Sequence, residues 1–136
     1  MRMSTSEARA RFRSTCSARL ATVRPDGAPH IVPIVFALDG DRLAFAVDAK
    51  PKSTVALQRL ANIASQPRVS VLVDEYADDW SQLWWARADG RAAQQALDDD
   101  WLARLAERYP QYAGQPPPGP LVVVEVERWT GWRAAT

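Results

Sequence analysis

Two lysines are all this chain has, and they stand two apart in the stretch Asp48-Ala49-Lys50-Pro51-Lys52-Ser53. The residues before it read as a strand and those after it as a helix. A strand that passes through a short loop into a helix offers free backbone N–H groups, the positive end of a helix dipole and side-chain charge at one point, which is an anion site in outline. The same K-x-K spacing also describes an ordinary solvated loop, so the surrounding pattern has to decide between the two.

Few other residues have types that do chemistry. His30 is the only histidine, and a lone His beside a strand start reads as a packed or solvated side chain, so it receives no role. Asp78-Asp79 reads as a turn and cap rather than a carboxylate pair. Cys16 is the only cysteine; it cannot bridge internally, and it reads as a small buried apolar side chain. One cysteine and one histidine exclude an all-protein Cys/His zinc site. No Ser/His/Asp arrangement suggests a nucleophile, so the catalytic residues stay unassigned. Trp84 and Trp85 are adjacent, so on a strand they must point to opposite faces.

The totals set bounds around these candidates. One hundred and thirty-six residues make one domain, 1–136, able to bury a core without disulfides. The 17 basic and 16 acidic residues are interspersed, so no basic field points to nucleic acid. No run of 18 apolar residues predicts a membrane span, and the start Met-Arg-Met-Ser does not lead into a secretory apolar core, so a cytoplasmic protein is expected.

The elements that must position the lysine stretch follow from local signals. Ser4 and Glu7 form a capping box for a helix from about Thr5 to Ser14. Ala18 to Arg24 alternates and closes on Arg24-Pro25-Asp26-Gly27, a turn. His30 to Leu38 reads as the second strand, with Pro33 arguing for an edge or bulge. Asp39-Gly40-Asp41 turns into a third strand, Arg42 to Asp48. Ser53 can cap a helix with Leu57, Leu60, Ala61 and Ala64 on its apolar face, ended by Pro67. Arg68 to Tyr76 is a fourth strand with Val69, Val71 and Val73 on one side. Leu83 to Ala92 is a fifth, with Gly90 a bulge. Asp98-Asp99-Asp100 opens a helix with Trp101, Leu105 and Tyr109 inward. Gln115 to Pro120 is an extended connector, and Leu121 to Trp129 is the last strand, with Val122, Val124 and Val126 opposite Glu125 and Glu127. The hairpin-dominated order predicts a mainly β fold, a six-stranded antiparallel barrel with helices at its rim.

Three pieces in this order carry a resemblance: Gly27-Ala28-Pro29-His30-Ile31-Val32-Pro33, Asp39-Gly40-Asp41, and Lys52 with Gln66-Pro67-Arg68-Val69-Ser70-Val71 downstream. Over nearly its full length the chain resembles the pyridoxamine-phosphate-oxidase-like family, whose fold is the FMN-binding split β-barrel. Lys50-Pro51-Lys52, Asp79-Trp80-Ser81-Gln82-Leu83-Trp84-Trp85 and Gly90-Arg91-Ala92 are similar to a branch that uses the deazaflavin coenzyme F420 and occurs mainly in actinobacteria.

The resemblance implies an oxidoreductase that moves a hydride between coenzyme F420, or alternatively FMN, and a small organic acceptor. The other implied reading is a non-catalytic protein that carries such a cofactor or a tetrapyrrole. It further implies that Lys50, Lys52 and Ser53 bind the cofactor phosphate, and that the backbone of Val32, Pro33, Ile34 and Val47 lies against the ring. Trp85 is implied to touch the cofactor from the fifth strand. The chain lacks the second-strand arginine of true pyridoxamine-phosphate oxidases, where Val32 and Pro33 stand, and their longer C-terminal substrate segment. Because a barrel of this size is filled by its own side chains, the ring must sit outside it. Trp85, Trp129 and Trp132 suggest an aromatic surface buried in a homodimer, with the cofactor in the shared cleft.

Overall fold

The computed structural model of the chain describes residues 1–47 and 54–135, with the backbone alone for 54–57. The lysine stretch, with Lys50, Lys52 and Ser53, and the side chain of Leu57 lie outside what is described. The elements run α1 (Thr5–Arg13), β1 (Ala18–Val23), β2 (Pro29–Ile34), β3 (Ala37–Asp39), β4 (Arg42–Ala46), α2 (Thr54–Ser65), β5 (Arg68–Glu75), a 3₁₀ turn (Trp80–Gln82), β6 (Trp84–Gln95), α3 (Asp99–Arg108), α4 (Gln111–Gly114) and β7 (Leu121–Arg133).

All pairings are antiparallel, in the order β2-β1-β5-β6-β7-β4-β3. The two edges of this sheet are consecutive in the chain, because Val35 and Phe36 alone separate β2 from β3. The sheet therefore curls until its edges approach, and residues from both halves meet in one interior. Leu20, Val32 and Ile34 share a core cluster with Leu43, Phe45, Val71, Val73, Val122 and Val124. The expected second strand, His30 to Leu38, is thus two strands on opposite edges, and the described residues form a sheet of seven strands rather than six. Pro33 lies on an edge strand, where a missing ladder donor is tolerated.

The strand faces follow the expected alternation as far as Gly90, where the β6–β7 register shifts. Asp89 faces Arg128 and Gly90 faces Val126, so Glu127 is the extra residue of a bulge. A Cβ on Gly90 would stand 2.1 Å from the carbonyl oxygen of Glu125, so only glycine fits. The extra residue also flips the alternation of β7. Inward positions run Val122, Val124, Val126 and then Trp129, which is buried against Phe12 at 5.2 Å between ring centroids and donates its indole N–H to Asp41 at 2.9 Å. Trp129 therefore belongs to the core, not to the aromatic surface expected of it.

The helices cover the sheet in different ways. α3 and α4 lie on the outer face of β3, β4 and β7, where Trp101, Leu105, Tyr109 and Tyr112 bury Ala37, Ala44, Ala46, Leu121 and Val123. α3 starts where the acidic run predicted, with Asp98 accepting from the Trp101 N–H at 2.8 Å. α2 closes the interior with Ile63 and Asn62; Ala61 and Ala64, expected on its apolar face, are exposed. Cys16, expected to be buried, is exposed as well, and it is its carbonyl that serves the fold, accepting from the Tyr109 hydroxyl at 2.9 Å.

Candidate functional site

β4 leaves the sheet after Ala46, and Val47, half-buried, donates its N–H to the Pro120 carbonyl at 3.0 Å. α2 begins at Thr54. A strand on one side and a helix start on the other therefore bracket the lysine stretch, as the local signals predicted.

The other predicted site residues divide by face. Val32 and Ile34 point into the core, while Pro33 is exposed on the outside of β2. Among the described residues only β1 pairs with β2. The turn bond from the Arg24 N–H to the Ala28 carbonyl sets a register in which Val32 and Ile34 turn their main-chain groups to β1, so the far edge carries those of Ile31 and the carbonyl of Pro33. Across the outer face, Pro33 stands opposite Arg19, Arg19 opposite Leu72, and Leu72 opposite Arg87. Trp85 lies on this same face, two residues from Arg87. With about 4.8 Å per strand spacing, Pro33 and the Trp85 region are roughly 14 Å apart. The fold thus puts them on one surface but not in contact.

Trp85 is half-buried, stacked beneath the Arg87 guanidinium at 5.6 Å and paired in register with Asp74 and Trp132. Arg87 also donates to Asp89 at 3.2 Å, and Asp89 accepts from the Ser70 hydroxyl at 2.6 Å. A shallow groove of about 270 Å³ is lined by Leu72, Asp74, Tyr76, Trp85 and Arg87. That lies just below the range of roughly 300–1,000 Å³ typical of ligand pockets. Tyr76 at its rim is 72 % exposed and Trp80 nearby in sequence is 76 % exposed. Trp84, the neighbour of Trp85, is buried, so the two rings take opposite faces as adjacency requires.

A polar feature under α2 was not legible as a site. Asn62 is fully buried and Thr22 is 2 % exposed. The Asn62 amide nitrogen donates to the Thr22 hydroxyl oxygen at 3.0 Å, and its amide oxygen accepts from Gln58 at 2.7 Å. Thr22 in turn lies 3.5 Å from Nδ1 of His30, its partner across the β1–β2 pair. Burial holds the His30 pKa below 6.5, and the positive charges of Arg24 and Arg59 add to that effect. The one signal in the sequence was an asparagine in the middle of a helix, four residues after a glutamine, where a helix face brings the two together.

Two aspartates are also held low. Asp41 sits below the usual carboxylate range because Trp129 and then Arg9 hydrogen-bond to it, and Asp79 because the Ser81 hydroxyl and backbone N–H do so. Asp79 thereby caps the 3₁₀ turn, the role expected of it. Among the described residues no group of His, Cys, Asp or Glu is placed to hold a metal ion, and no helix is long and apolar enough to cross a membrane.

Solved structures with this fold bind more than one kind of ligand. The chain is similar to a FAD-binding protein from Mesorhizobium loti, with a TM-score of 0.76 and 21 % identity over 99 % of this chain and 98 % of that one. It is similar to the FAD-binding protein from Mycobacterium smegmatis, with a TM-score of 0.68 and 23 % identity over 100 % of both chains. It is also similar to HutZ, the haem storage protein from Vibrio cholerae, with a TM-score of 0.70 and 19 % identity over 96 % of this chain and 95 % of that one. At these identities the likeness speaks for the fold. No curated protein matches the sequence. The family is settled by the sequence itself: residues 4–133 match the family described as pyridoxamine 5'-phosphate oxidase, and the chain belongs to it.

Proposed function

We propose that this single-domain protein, residues 1–136, binds a flavin-type cofactor outside its barrel and is an oxidoreductase passing a hydride to a small organic acceptor, with coenzyme F420 as the cofactor and FMN as the alternative. The observation that carries the reading is the bracketing of the two lysines by the end of β4 and the start of α2 in a member of this family. Lys50, Lys52 and Ser53 take the cofactor phosphate, through charge-assisted hydrogen bonds worth about 1.5–3 kcal/mol each when shielded from water. The main chain of Val32, Pro33, Ile34 and Val47 lines the ring, and Trp85 contributes an aromatic wall.

The residues present fit such a group. The unpaired edge of β2 supplies the main-chain groups of Ile31 and the carbonyl of Pro33, and the burial of Val32 and Ile34 anchors the strand to the core. The cofactor, when bound, supplies the hydride chemistry. This chain's own residues are left to hold the phosphate, orient the ring and exclude water.

A groove of about 270 Å³ on one chain is too open to enclose a ring-sized ligand. Exposed Tyr76 lines it and Trp132, paired with Trp85, shares its face, and a homodimer pairing these surfaces would supply the second wall. Lys52→Ala is expected to weaken cofactor binding by about tenfold or more, roughly 1.4 kcal/mol, without changing the melting temperature. Fluorescence titration with coenzyme F420 and with FMN measures this. Unchanged affinity would refute the phosphate assignment, and sedimentation showing a monomer that binds tightly would refute the shared cleft. The similarity to a haem storage protein supports a second reading, a carrier without turnover. Hydride consumption with a trial acceptor separates the two.

A further inference from the structure

His30 was assigned no chemistry from the sequence, yet it stands at the end of a file of hydrogen-bonding groups that begins on α2. Thr22 is buried, so its hydroxyl hydrogen has to find a protein partner. Its oxygen already accepts from Asn62, whose amide orientation is set in turn by the bond from Gln58. The hydroxyl proton is therefore free to go to Nδ1 of His30, 3.5 Å away. Every bond in the chain then runs one way, from Gln58 to Asn62 to Thr22 to His30. An imidazole that accepts at Nδ1 and is neutral carries its proton on Nε2. A ring protonated at Nδ1 would donate to the second lone pair of the Thr22 oxygen and leave the buried hydroxyl hydrogen without an acceptor among the described residues. The file from α2 therefore favours the neutral form with Nε2–H.

The setting favours an acceptor outside the chain for that proton. His30 is half-buried on β2, the edge strand, two residues from Val32 and on the same side of the strand. Among the described residues the charged groups that act on it are cations, Arg24 at the hairpin end of β1 and Arg59 on α2. A neutral N–H donor among cations at the open edge of a sheet suits an anionic or carbonyl oxygen.

We propose that His30 is a ligand-binding residue that donates Nε2–H to an oxygen of the molecule lying along β2, with Thr22, Asn62 and Gln58 as the positioning residues that fix its tautomer. This rests on the reading that a cofactor lies along β2, and extends it to a residue that reading does not use.

A single histidine makes the test clean. Long-range 1H–15N spectra of uniformly labelled protein report one imidazole, and the expected result is a neutral Nε2–H ring at pH 7. Titration with FMN or coenzyme F420 is expected to shift the Nε2 resonance. Because a glutamine amide nitrogen reaches about as far as Nε2 and an asparagine amide nitrogen only as far as Nδ1, His30→Gln is expected to keep affinity within about threefold. His30→Asn and His30→Leu should each lose about tenfold, the value of one hydrogen bond to an ionised group. A ring protonated at Nδ1 in the free wild type overturns the proposal, as does wild-type affinity in His30→Leu. If the wild type binds neither cofactor, the flavin reading itself fails, and the ligand role of His30 fails with it. If the wild type binds but the histidine variants do so equally well, only the assignment of His30 fails.

Discussion

α2 and α3 do the same architectural job, each covering a part of the curled sheet, but they do it with opposite chemistry. α3 seals with rings and aliphatic groups: Trp101, Leu105, Tyr109 and Tyr112 close over small residues of β3, β4 and β7. Besides the Arg104–Asp39 ion pair, its polar contacts include clamps on main chain. The Tyr109 hydroxyl accepts from the Phe36 N–H at 3.0 Å and donates to the Cys16 carbonyl, and the Arg108 guanidinium donates to the Thr15 and Arg13 carbonyls while stacking on Phe36 at 4.6 Å. α2 seals with Ile63 and a file of amide, hydroxyl and imidazole groups. Apolar burial is non-directional and rewards area. A hydrogen-bond file has direction, so it can fix a proton or a tautomer, and it costs stability when one member is lost. The helix that follows the lysine stretch is the one with direction.

Removing Trp101 should have the largest effect. Trp101→Ala deletes the biggest ring under α3, and such truncations cost about 3–5 kcal/mol. Urea denaturation is expected to show that loss, while cofactor affinity of the folded protein stays at the wild-type value. If affinity fell in step with stability, the two helices would not be separable and the contrast would collapse.

Asn62→Ala should come second in stability and first in its effect on the ligand. It leaves the Thr22 and Gln58 side chains without their partner in a buried setting, a penalty of about 1–3 kcal/mol. Unlike Trp101→Ala, it should also loosen the His30 tautomer and lower affinity for FMN or coenzyme F420. Melting curves and titrations on the same samples check both, and a stability loss with unchanged affinity would make α2 no different from α3.

The same contrast explains what could be read from the sequence. α3 was legible because acidic capping and an apolar stripe are local signals, and its start and inward residues fall where they were expected. The alternation in β1, β5 and the first part of β7 was legible for the same reason. Three features were not. The break of His30 to Leu38 into two strands comes from curling the sheet, and a continuous run of Val, Ile and Phe does not announce it. The inward turn of Trp129 depends on Glu127 being the extra residue opposite Gly90; the glycine was recognised as a bulge, but which strand carries the insertion is a property of the pair. The buried face of α2 was misplaced because hydrophobic periodicity counts Ala61 and Ala64 and discounts Asn62, whereas the structure buries Asn62 and exposes both alanines. The phosphate-binding role of Lys50, Lys52 and Ser53 rests on their spacing and on the family, since those residues lie outside the described ones.

The smallest expected effect is the most specific to α2. The folded state holds His30 below its ordinary value of 6.5, through burial first and the charges of Arg24 and Arg59 second. A histidine whose folded pKa is lowered is protonated more readily in the unfolded chain, so the unfolded state binds more protons as pH falls through 6.5. Stability contributed by the neutral ring is therefore complete above that pH. It declines as pH drops from 6.5 to the folded-state pKa, and levels off once both states are protonated. The lowered carboxyls of Asp41 and Asp79 also favour the folded state, but their contribution is lost only as pH falls below 3.8, whereas that of the imidazole begins to fall at 6.5. Urea midpoints at pH 7.5, 6.0 and 5.0 should show the wild type losing stability relative to His30→Gln, while Trp101→Ala runs parallel to the wild type across the same range. A wild type parallel to His30→Gln would show that the imidazole titrates as it does in the unfolded chain, and α2 would then be a cover like α3, without the direction assigned to it.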